Sequence, residues 1–273
     1  MLGAYLEAVR QRGPLVLSIT NFVTVNDCAN IVLAAGASPV MCEIPEAAAE
    51  FAAAADVAAV NLGTQQPLSL ESARVAAEVV RERGLPAVLD PVGAGASKTY
   101  TASARDLLVT GAFSCIRGNI SEIRALAGQA SLTRGVDAGS ADAVTESNLP
   151  EMISFIRAYA AASGAIIAAS GAIDLVSDAE RTFVIRNGHP MMPRITGSGC
   201  MLTVLTAAFL AASPEDPLEA AAAASCAMGL AGEIAHASLG PGEGTGTFRT
   251  RLLDAMSLMT GAALDGGAKY EIR

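Results

Sequence analysis

Short apolar runs alternate with helical stretches along the chain, and this alternation constrains the fold more than any other feature. The strand-like runs are Leu15–Ile19, Val57–Asn61, Ala87–Asp90, Ser114–Arg117, Ala165–Ala169, Ile173–Ser177 and Thr182–Arg186. Helical composition covers Val25–Ala35, Pro45–Ala55, Pro67–Arg83, Ser103–Thr110, Asn119–Ala127, Leu149–Ser163, Ser198–Ala212, Pro217–Ala237 and Gly244–Thr260. Strands alternating with helices predict βαβ units, hence an α/β fold with a mainly parallel central sheet and helices on both faces. Ile173–Arg186 reads instead as a hairpin turning at Asp178-Ala179-Glu180-Arg181. The polar stretch Ser131–Ser147 is the one long surface loop expected, and it is too short for a linker. Residues 1–273 are therefore expected to form one domain.

Composition narrows the functional classes. With 52% hydrophobic and 16% charged residues, the chain can fill a core and does not have the composition of a disordered protein. Trp is absent and Ala is abundant, so small aliphatic side chains allow helices to lie close to the sheet. A net charge of −9 argues against nonspecific nucleic-acid or anionic-membrane binding. It remains compatible with a phosphorylated small molecule, because backbone N–H groups and a few Arg can supply local positive potential. Cys28, Cys42, Cys115, Cys200 and Cys226 form no CxxC pattern, and His189 and His236 are the only histidines. That set argues against zinc and for reduced thiols in a cytoplasmic protein. The N-terminus carries early charges, and the longest uncharged helical stretch, Ala220–Gly232, is too short for a bilayer. No membrane partner is expected.

Five segments carry candidate chemistry, each just after a strand-like run, where ligands gather in open α/β sheets. In Arg194-Ile195-Thr196-Gly197-Ser198-Gly199-Cys200-Met201-Leu202, a Gly-Ser-Gly turn opens a long apolar helix. Backbone N–H groups and the positive helix end then converge on one point suited to phosphate. Cys200 falls at the helix start, where a thiol ionises more easily; the alternative is a tight turn holding a small buried Cys. Val88-Leu89-Asp90-Pro91-Val92-Gly93-Ala94-Gly95-Ala96 places Asp90 at a strand end, beside a metal or phosphate or as the cap of its turn. It is not a P-loop, because Val92 and Ser97 stand where that motif needs Gly. Cys115-Ile116-Arg117-Gly118-Asn119-Ile120-Ser121-Glu122-Ile123 is either an Asn-x-x-Glu capping box or a site with Glu122 near Mg²⁺ and Arg117 on a nucleotide phosphate. Ile166-Ile167-Ala168-Ala169-Ser170-Gly171 offers a hydroxyl and a close approach. Thr20-Asn21-Phe22-Val23, together with Ala34–Met41, supplies amide and apolar groups suited to a small aromatic ring, although Met41 alone also reads as core filler.

Taken in order, Thr20-Asn21, Gly36-Ala37-Ser38-Pro39-Val40-Met41, Asn61-Leu62-Gly63-Thr64, Leu89–Gly95, Arg117-Gly118-Asn119-x-x-Glu122, Gly135-Val136-Asp137 and Thr196–Cys200 resemble the hydroxyethylthiazole kinases of the ribokinase-like superfamily. The resemblance implies a ribokinase-like sheet without a separate lid domain. It implies ATP-dependent phosphorylation of 4-methyl-5-(2-hydroxyethyl)thiazole in thiamine salvage, with Mg²⁺, in a homotrimer whose active sites lie between subunits. Carried over to this chain, it implies that Met41, Gly197 and Asn21 bind the thiazole alcohol and that Arg117 and Ser170 contact ATP. Asp90 and Glu122 then serve Mg²⁺, Gly197, Ser198, Gly199 and Cys200 form the anion hole, and Cys200 either takes the alcohol proton as base or orients the alcohol while the proton leaves late. Cys200 stands where the superfamily usually has Asp, a pattern shared by the thiazole kinases. Glu243-Gly244-Thr245-Gly246-Thr247-Phe248 is longer than the usual turn there. The rival readings are a hydroxymethylpyrimidine-type kinase, an ADP/ATP-dependent dehydratase of hydrated nicotinamide cofactors, and a non-catalytic nucleotide-binding regulator.

Overall fold

Among the described residues, nine strands form one sheet: β1 (Leu15–Ile19), β2 (Ser38–Met41), β3 (Val57–Asn61), β4 (Ala87–Asp90), β5 (Cys115–Asn119), β6 (Ile166–Ser170), β7 (Asp174–Ser177), β8 (Thr182–Ile185) and β9 (Tyr270–Ile272). Their order is β2-β1-β3-β4-β5-β6-β7-β8-β9, parallel from β2 to β6 and antiparallel from β7 to β9. This computed structural model describes residues 1–128 and 143–273. Gly135-Val136-Asp137, and most of the stretch read as a loop at Ser131–Ser147, lie outside the described residues. The hairpin read at Ile173–Arg186 is β7 and β8.

The helices are α1 (Gly3–Arg12), α2 (Val25–Ala35), α3 (Pro45–Ala54), α4 (Pro67–Glu82), α5 (Lys98–Leu108), α6 (Ile120–Leu126), α7 (Leu149–Ser163), α8 (Ser198–Ala212), α9 (Pro217–Ala237), α10 (Thr245–Leu258) and α11 (Gly261–Gly267). Strand side chains alternate between two cores, because successive residues point to opposite faces. Val16, Val57, Ala59 and Val88 meet α1, α2, α8, α9 and α10 on one face. Leu17, Ala58, Val60 and Leu89 meet α3 to α7 on the other. Helix α8 is apolar all round and buried from Met201 to Leu210, as a helix lying wholly inside a protein must be.

Five elements depart from the sequence expectation. β2 contains Pro39 and survives as a strand because it is the sheet edge, where a missing N–H costs no ladder bond. β9 closes the other edge with three residues, and α1 and α11 flank the core without a long apolar pattern. α5 starts at Lys98 rather than Ser103, because the Ser97 hydroxyl caps it by accepting from the Tyr100 N–H at 3.3 Å. α9 contains the uncharged stretch Ala220–Gly232 and extends past it at both ends. It has 21 residues and is apolar enough to cross a membrane by length and composition, yet most of it is buried inside the molecule.

α9 approaches the segment leading to α8 through two glycines. A Cβ on Gly229 would lie 2.7 Å from the backbone carbonyl carbon of Asn187, and one on Gly232 would lie 2.6 Å from the thioether sulfur of Met192. Backbone cannot yield as a flexible thioether can. Gly229→Ala is therefore expected to destabilise by about 1–3 kcal/mol through overpacking. In Gly232→Ala a helix-propensity gain of about 1 kcal/mol offsets most of the cost. Thermal unfolding followed by circular dichroism checks the contrast; equal melting temperatures for the two variants would refute it.

Candidate active site

The parallel strands end together on one rim, and their last residues interlock through polar side chains. The register sets Asn61 of β3 beside Asp90 of β4, and Asn119 of β5 beside Ser170 of β6. Asn61 donates from Nδ2 to Asp90 Oδ2 at 2.7 Å. Thr203, one turn into α8, donates to the same oxygen at 2.6 Å. Arg117 of β5 adds an ion pair to it from Nη1 at 3.4 Å. The other Arg117 fork reaches Ser170 Oγ at 2.6 Å. Asp90 is 0% exposed, and its Oδ1 has no hydrogen-bond partner in the protein. Asp90 thus does not cap its own turn; it ties two neighbouring strand ends to the start of α8.

Asn21, just past β1, extends this network towards the thiol. Its Oδ1 accepts from the Thr24 N–H at 3.1 Å, which fixes the amide orientation. Its Nδ2 donates to Asn61 Oδ1 at 2.9 Å and to Cys200 Sγ at 3.3 Å. Gly197 holds a left-handed φ of 83° before α8, and a Cβ there would lie 2.5 Å from Thr24 Cγ2. A Cβ on Gly199 would lie 2.7 Å from Arg117 Nη1. Glycine at both positions lets the turn sit directly on Thr24 and Arg117 while Gly197, Ser198, Gly199 and Cys200 stay partly exposed at the helix start. A helix start reached by solvent in this way can cradle an anion.

Glu122 fulfils the capping box in full. Its Oε2 accepts from the Asn119 N–H at 2.8 Å, and Asn119 Oδ1 accepts from the Glu122 N–H at 2.9 Å. Its Oε1 also accepts from the Gly93 N–H at 3.0 Å, which joins the turn after β4 to the start of α6. Burial, at 3% exposure, and then the Asp90 charge push its pKa up to about 8. Burial pushes Asp90 up as well, opposed first by Arg117.

The expectation that the helix start eases ionisation of Cys200 is corrected here. Burial raises its thiol above the ordinary range and the Asp90 charge adds to this, while hydrogen bonds from Thr24 and Asn21 only partly oppose it. Met41 ends β2 on the same rim, paired with Ser18 and half-buried against the core. Thr203, Thr24 and the coupling role of Asn61 escaped the sequence reading. A hydroxyl four residues after Gly199 on the helix, and an amide closing a strand, were the signals available. The turn Glu243–Phe248 leads into α10, which docks on α2 through buried Phe248 and a fork from Arg249 Nε to Asp27 at 2.8 and 3.0 Å.

Two carboxylates, one with an orphaned buried oxygen, fit a hard cation held largely by phosphate oxygens and water. Among the described residues no group of three or more His, Cys, Asp or Glu forms a protein cage for a metal. The raised pKa of Glu122 has a consequence for stability. The folded state keeps a proton that the unfolded chain releases above about 4.3. The stabilisation is therefore fully present below that pH and is lost as pH rises through about 8. In chelator, the wild-type melting temperature is expected to fall between pH 5 and about 8 and then level off. Glu122→Gln should flatten that slope and also lose stability at pH 5, because both Glu122 oxygens accept backbone N–H bonds and an amide has one acceptor. An unchanged slope in the variant would dissociate Glu122 from the effect.

Comparison with known proteins agrees with this arrangement. The family described as "Hydroxyethylthiazole kinase family" matches residues 6–261. A hydroxyethylthiazole kinase of Clostridium acetobutylicum is 42% identical over 271 residues, covering 99% of each chain. One from Methanoculleus marisnigri is 43% identical, covering 98% of this chain and 92% of the relative. The solved structure of a hydroxyethylthiazole kinase protein from Pyrococcus horikoshii superposes with a TM-score of 0.86 at 36% identity, covering 100% of this chain and 98% of that one. A Staphylococcus aureus pyridoxal kinase, with a TM-score of 0.60 at 14% identity, covering 95% of this chain and 98% of its own, shares the ribokinase-like fold alone. With its sheet order, its rim of strand-end polar groups and its full-length likeness to these enzymes, this chain belongs to the hydroxyethylthiazole kinase family of phosphotransferases.

Proposed function

We propose that the protein transfers the γ-phosphoryl group of ATP to the primary hydroxyl of 4-methyl-5-(2-hydroxyethyl)thiazole, giving the thiazole phosphate and ADP. The observation that carries this reading is the single network joining Cys200 and Asn21 at one end to Arg117 and Ser170 at the other through Asp90. An acceptor-alcohol region and a nucleotide-phosphate region are thereby held in one frame. The family match weighs against a hydroxymethylpyrimidine-type kinase, a nicotinamide-hydrate dehydratase and a non-catalytic regulator.

Phosphoryl transfer asks mainly for positioning and charge stabilisation. N–H groups from Gly197 to Cys200 hold the transferring oxygens, and Arg117 with Ser170 holds the nucleotide. Asp90 and Glu122 are the residues that would hold Mg²⁺, which when bound supplies charge neutralisation for the phosphates. Asn21, Met41 and Gly197 bind the thiazole alcohol, and the partly exposed rim admits it. Cys200 Sγ, facing donors rather than acceptors, orients the hydroxyl; once its own proton has left to solvent, the thiolate receives the hydroxyl proton late in the transfer. The pH dependence should follow from that role, because a raised thiol is a better acceptor only once it has ionised. The five free thiols suit a reducing cytoplasm.

A coupled ADP-release assay tests the substrate and Cys200 together. The thiazole alcohol should support ADP release with Mg²⁺, and hydroxymethylpyrimidine and pyridoxal should not. Cys200→Ala is expected to cut kcat by roughly 10²–10⁴, the range for a positioned acid–base group. Cys200→Asp should retain substantial activity and move the pH profile to lower pH. An active Ala variant beside a dead Asp variant, both folded by melting temperature, would remove the proton-acceptor role.

The homotrimer with active sites between subunits rests on the surface beside the rim. Phe22, Ile44 and Leu68 are 63%, 60% and 64% exposed next to the edge strand β2. They line a cleft of about 160 Å³ with Glu43, Thr64, Gln66 and Ser69. Large apolar side chains clustered this way mark an interaction surface. Sedimentation equilibrium is expected to give three subunits; a stable, fully active monomer would refute shared sites.

A further inference from the structure

Asp90 Oδ2 accepts from Asn61 Nδ2, Thr203 Oγ1 and Arg117 Nη1, while its partner oxygen Oδ1 is buried with no protein donor. This asymmetry is not what burial alone produces. A buried carboxylate normally spreads its donors over both oxygens, because each unpaired lone pair left out of water is costly. Here one oxygen is saturated and the other left open. Thr203 is the donor whose role nothing else in the structure explains. It is 0% exposed, it lies in the interior of α8, and its hydroxyl also approaches the Gly199 carbonyl at 3.2 Å. A helical threonine satisfies itself by bonding back to the preceding turn. The shorter contact, 2.6 Å, goes instead across to the sheet. Gly199 is the residue that rests on Arg117, the third donor to the same oxygen. The carboxylate, the guanidinium and the first turn of α8 are therefore fixed to one another.

We propose that Thr203 is a positioning residue for phosphoryl transfer, locking Asp90 to the first turn of α8 so that Oδ2 is occupied and Oδ1 is kept for a divalent cation. The proposal rests on the reading of Asp90 as a cation carboxylate. Thr203 touches neither substrate; it acts by denying the carboxylate any rotation that would trade its two oxygens. Groups that orient a metal-binding side chain in this manner are worth about 10–100-fold in metal affinity or activity when removed.

Thr203→Val keeps the β-branched shape and volume and deletes only the hydroxyl. Thr203→Ser restores the hydroxyl, and Thr203→Ala provides a second deletion free of any packing strain. Mn²⁺ binding in the presence of ADP, followed by the loss of the free-Mn²⁺ paramagnetic resonance signal, reads the cation site without turnover. The Val and Ala variants are expected to weaken Mn²⁺ binding by about 10-fold or more. Ser should bind close to wild type, and the thiazole KM should stay unchanged in all three. In steady state, the Mg²⁺ concentration for half-maximal activity should rise in parallel. If Val and Ala bind Mn²⁺ as wild type does, the positioning role is overturned. It is also overturned if Ser fails to rescue while all three variants keep the wild-type melting temperature. If the wild type itself takes up no Mn²⁺ with ADP, the cation reading of Asp90 fails first, and the proposal with it.

Discussion

One carboxylate oxygen carries the geometry of this site. Asp90 Oδ2 sits where β3, β5 and α8 converge on the end of β4, and it accepts one donor from each. Taking a carboxylate fully out of water is costly, and the cost is offset only when its donors are well placed. The register of two neighbouring strands and the rotation of α8 about its axis must therefore be right together. A slip of one residue in β3 would replace Asn61 with an apolar side chain pointing to the other face. Arg117 relays the same constraint to β6 through Ser170. Buried ion pairs are weak contributors to stability in general. What this one adds is a single allowed arrangement of four strand ends and a helix start.

The small residues around that hub serve the same arrangement. Without side chains at Gly197 and Gly199, the α8 turn rests on Thr24 and Arg117 at distances a Cβ would forbid. The Ala-rich composition continues this along α8 and α9, where buried alanines allow close approach of helix to sheet and helix to helix. Closeness is what allows a side chain as short as Thr203 to bridge from helix interior to strand end. A core built from larger residues would move α8 outward and need a longer side chain, with more rotamers, for the same contact. Composition and site geometry are thus one property seen at two scales.

Much of this was legible in the residue order, and the rest failed for identifiable reasons. β1, β3 and β4, with α2, α7, α8 and α9, fall where their apolar runs and flanking Pro and Gly place them. β2 was hidden by Pro39, which signals a break unless the strand is known to be an edge, and edge position is a property of the whole sheet. α11 spans only Gly261–Gly267, with three glycines, so its propensity is low and tertiary packing decides it. Asn21, Asp90, Arg117, Ser170 and Gly197–Cys200 were legible as one rim because parallel strands end together. The partners of Asp90 were not, since Thr203 lies 113 positions away. Nor was the direction of the Cys200 shift. A helix start lowers a thiol pKa by local geometry, whereas burial and the Asp90 charge raise it through the fold.

That last conflict bears on how the thiol works. Asn21 has two amide hydrogens, and they point to Asn61 Oδ1 and Cys200 Sγ. With Oδ1 taken by the Thr24 N–H, the amide cannot flip to offer Cys200 an acceptor. Sγ therefore meets a donor in every state of the site, which favours negative charge on sulfur and disfavours a thiol proton aimed at Asn21. Burial and the Asp90 charge oppose ionisation more strongly, so the resting thiol keeps its proton. Two opposing influences of this kind give a sulfur that is neutral at rest and already solvated by protein for the charge it would carry. The balance is set partly by Asp90, whose own charge would be offset by a cation and phosphates bound beside it. On the function proposed above, the acceptor end of the network is thereby coupled electrostatically to the nucleotide end. Asn61 is the covalently short, geometrically rigid link between them, since its Oδ1 is held by both the Asn21 amide and the Gly63 N–H while its Nδ2 holds Asp90.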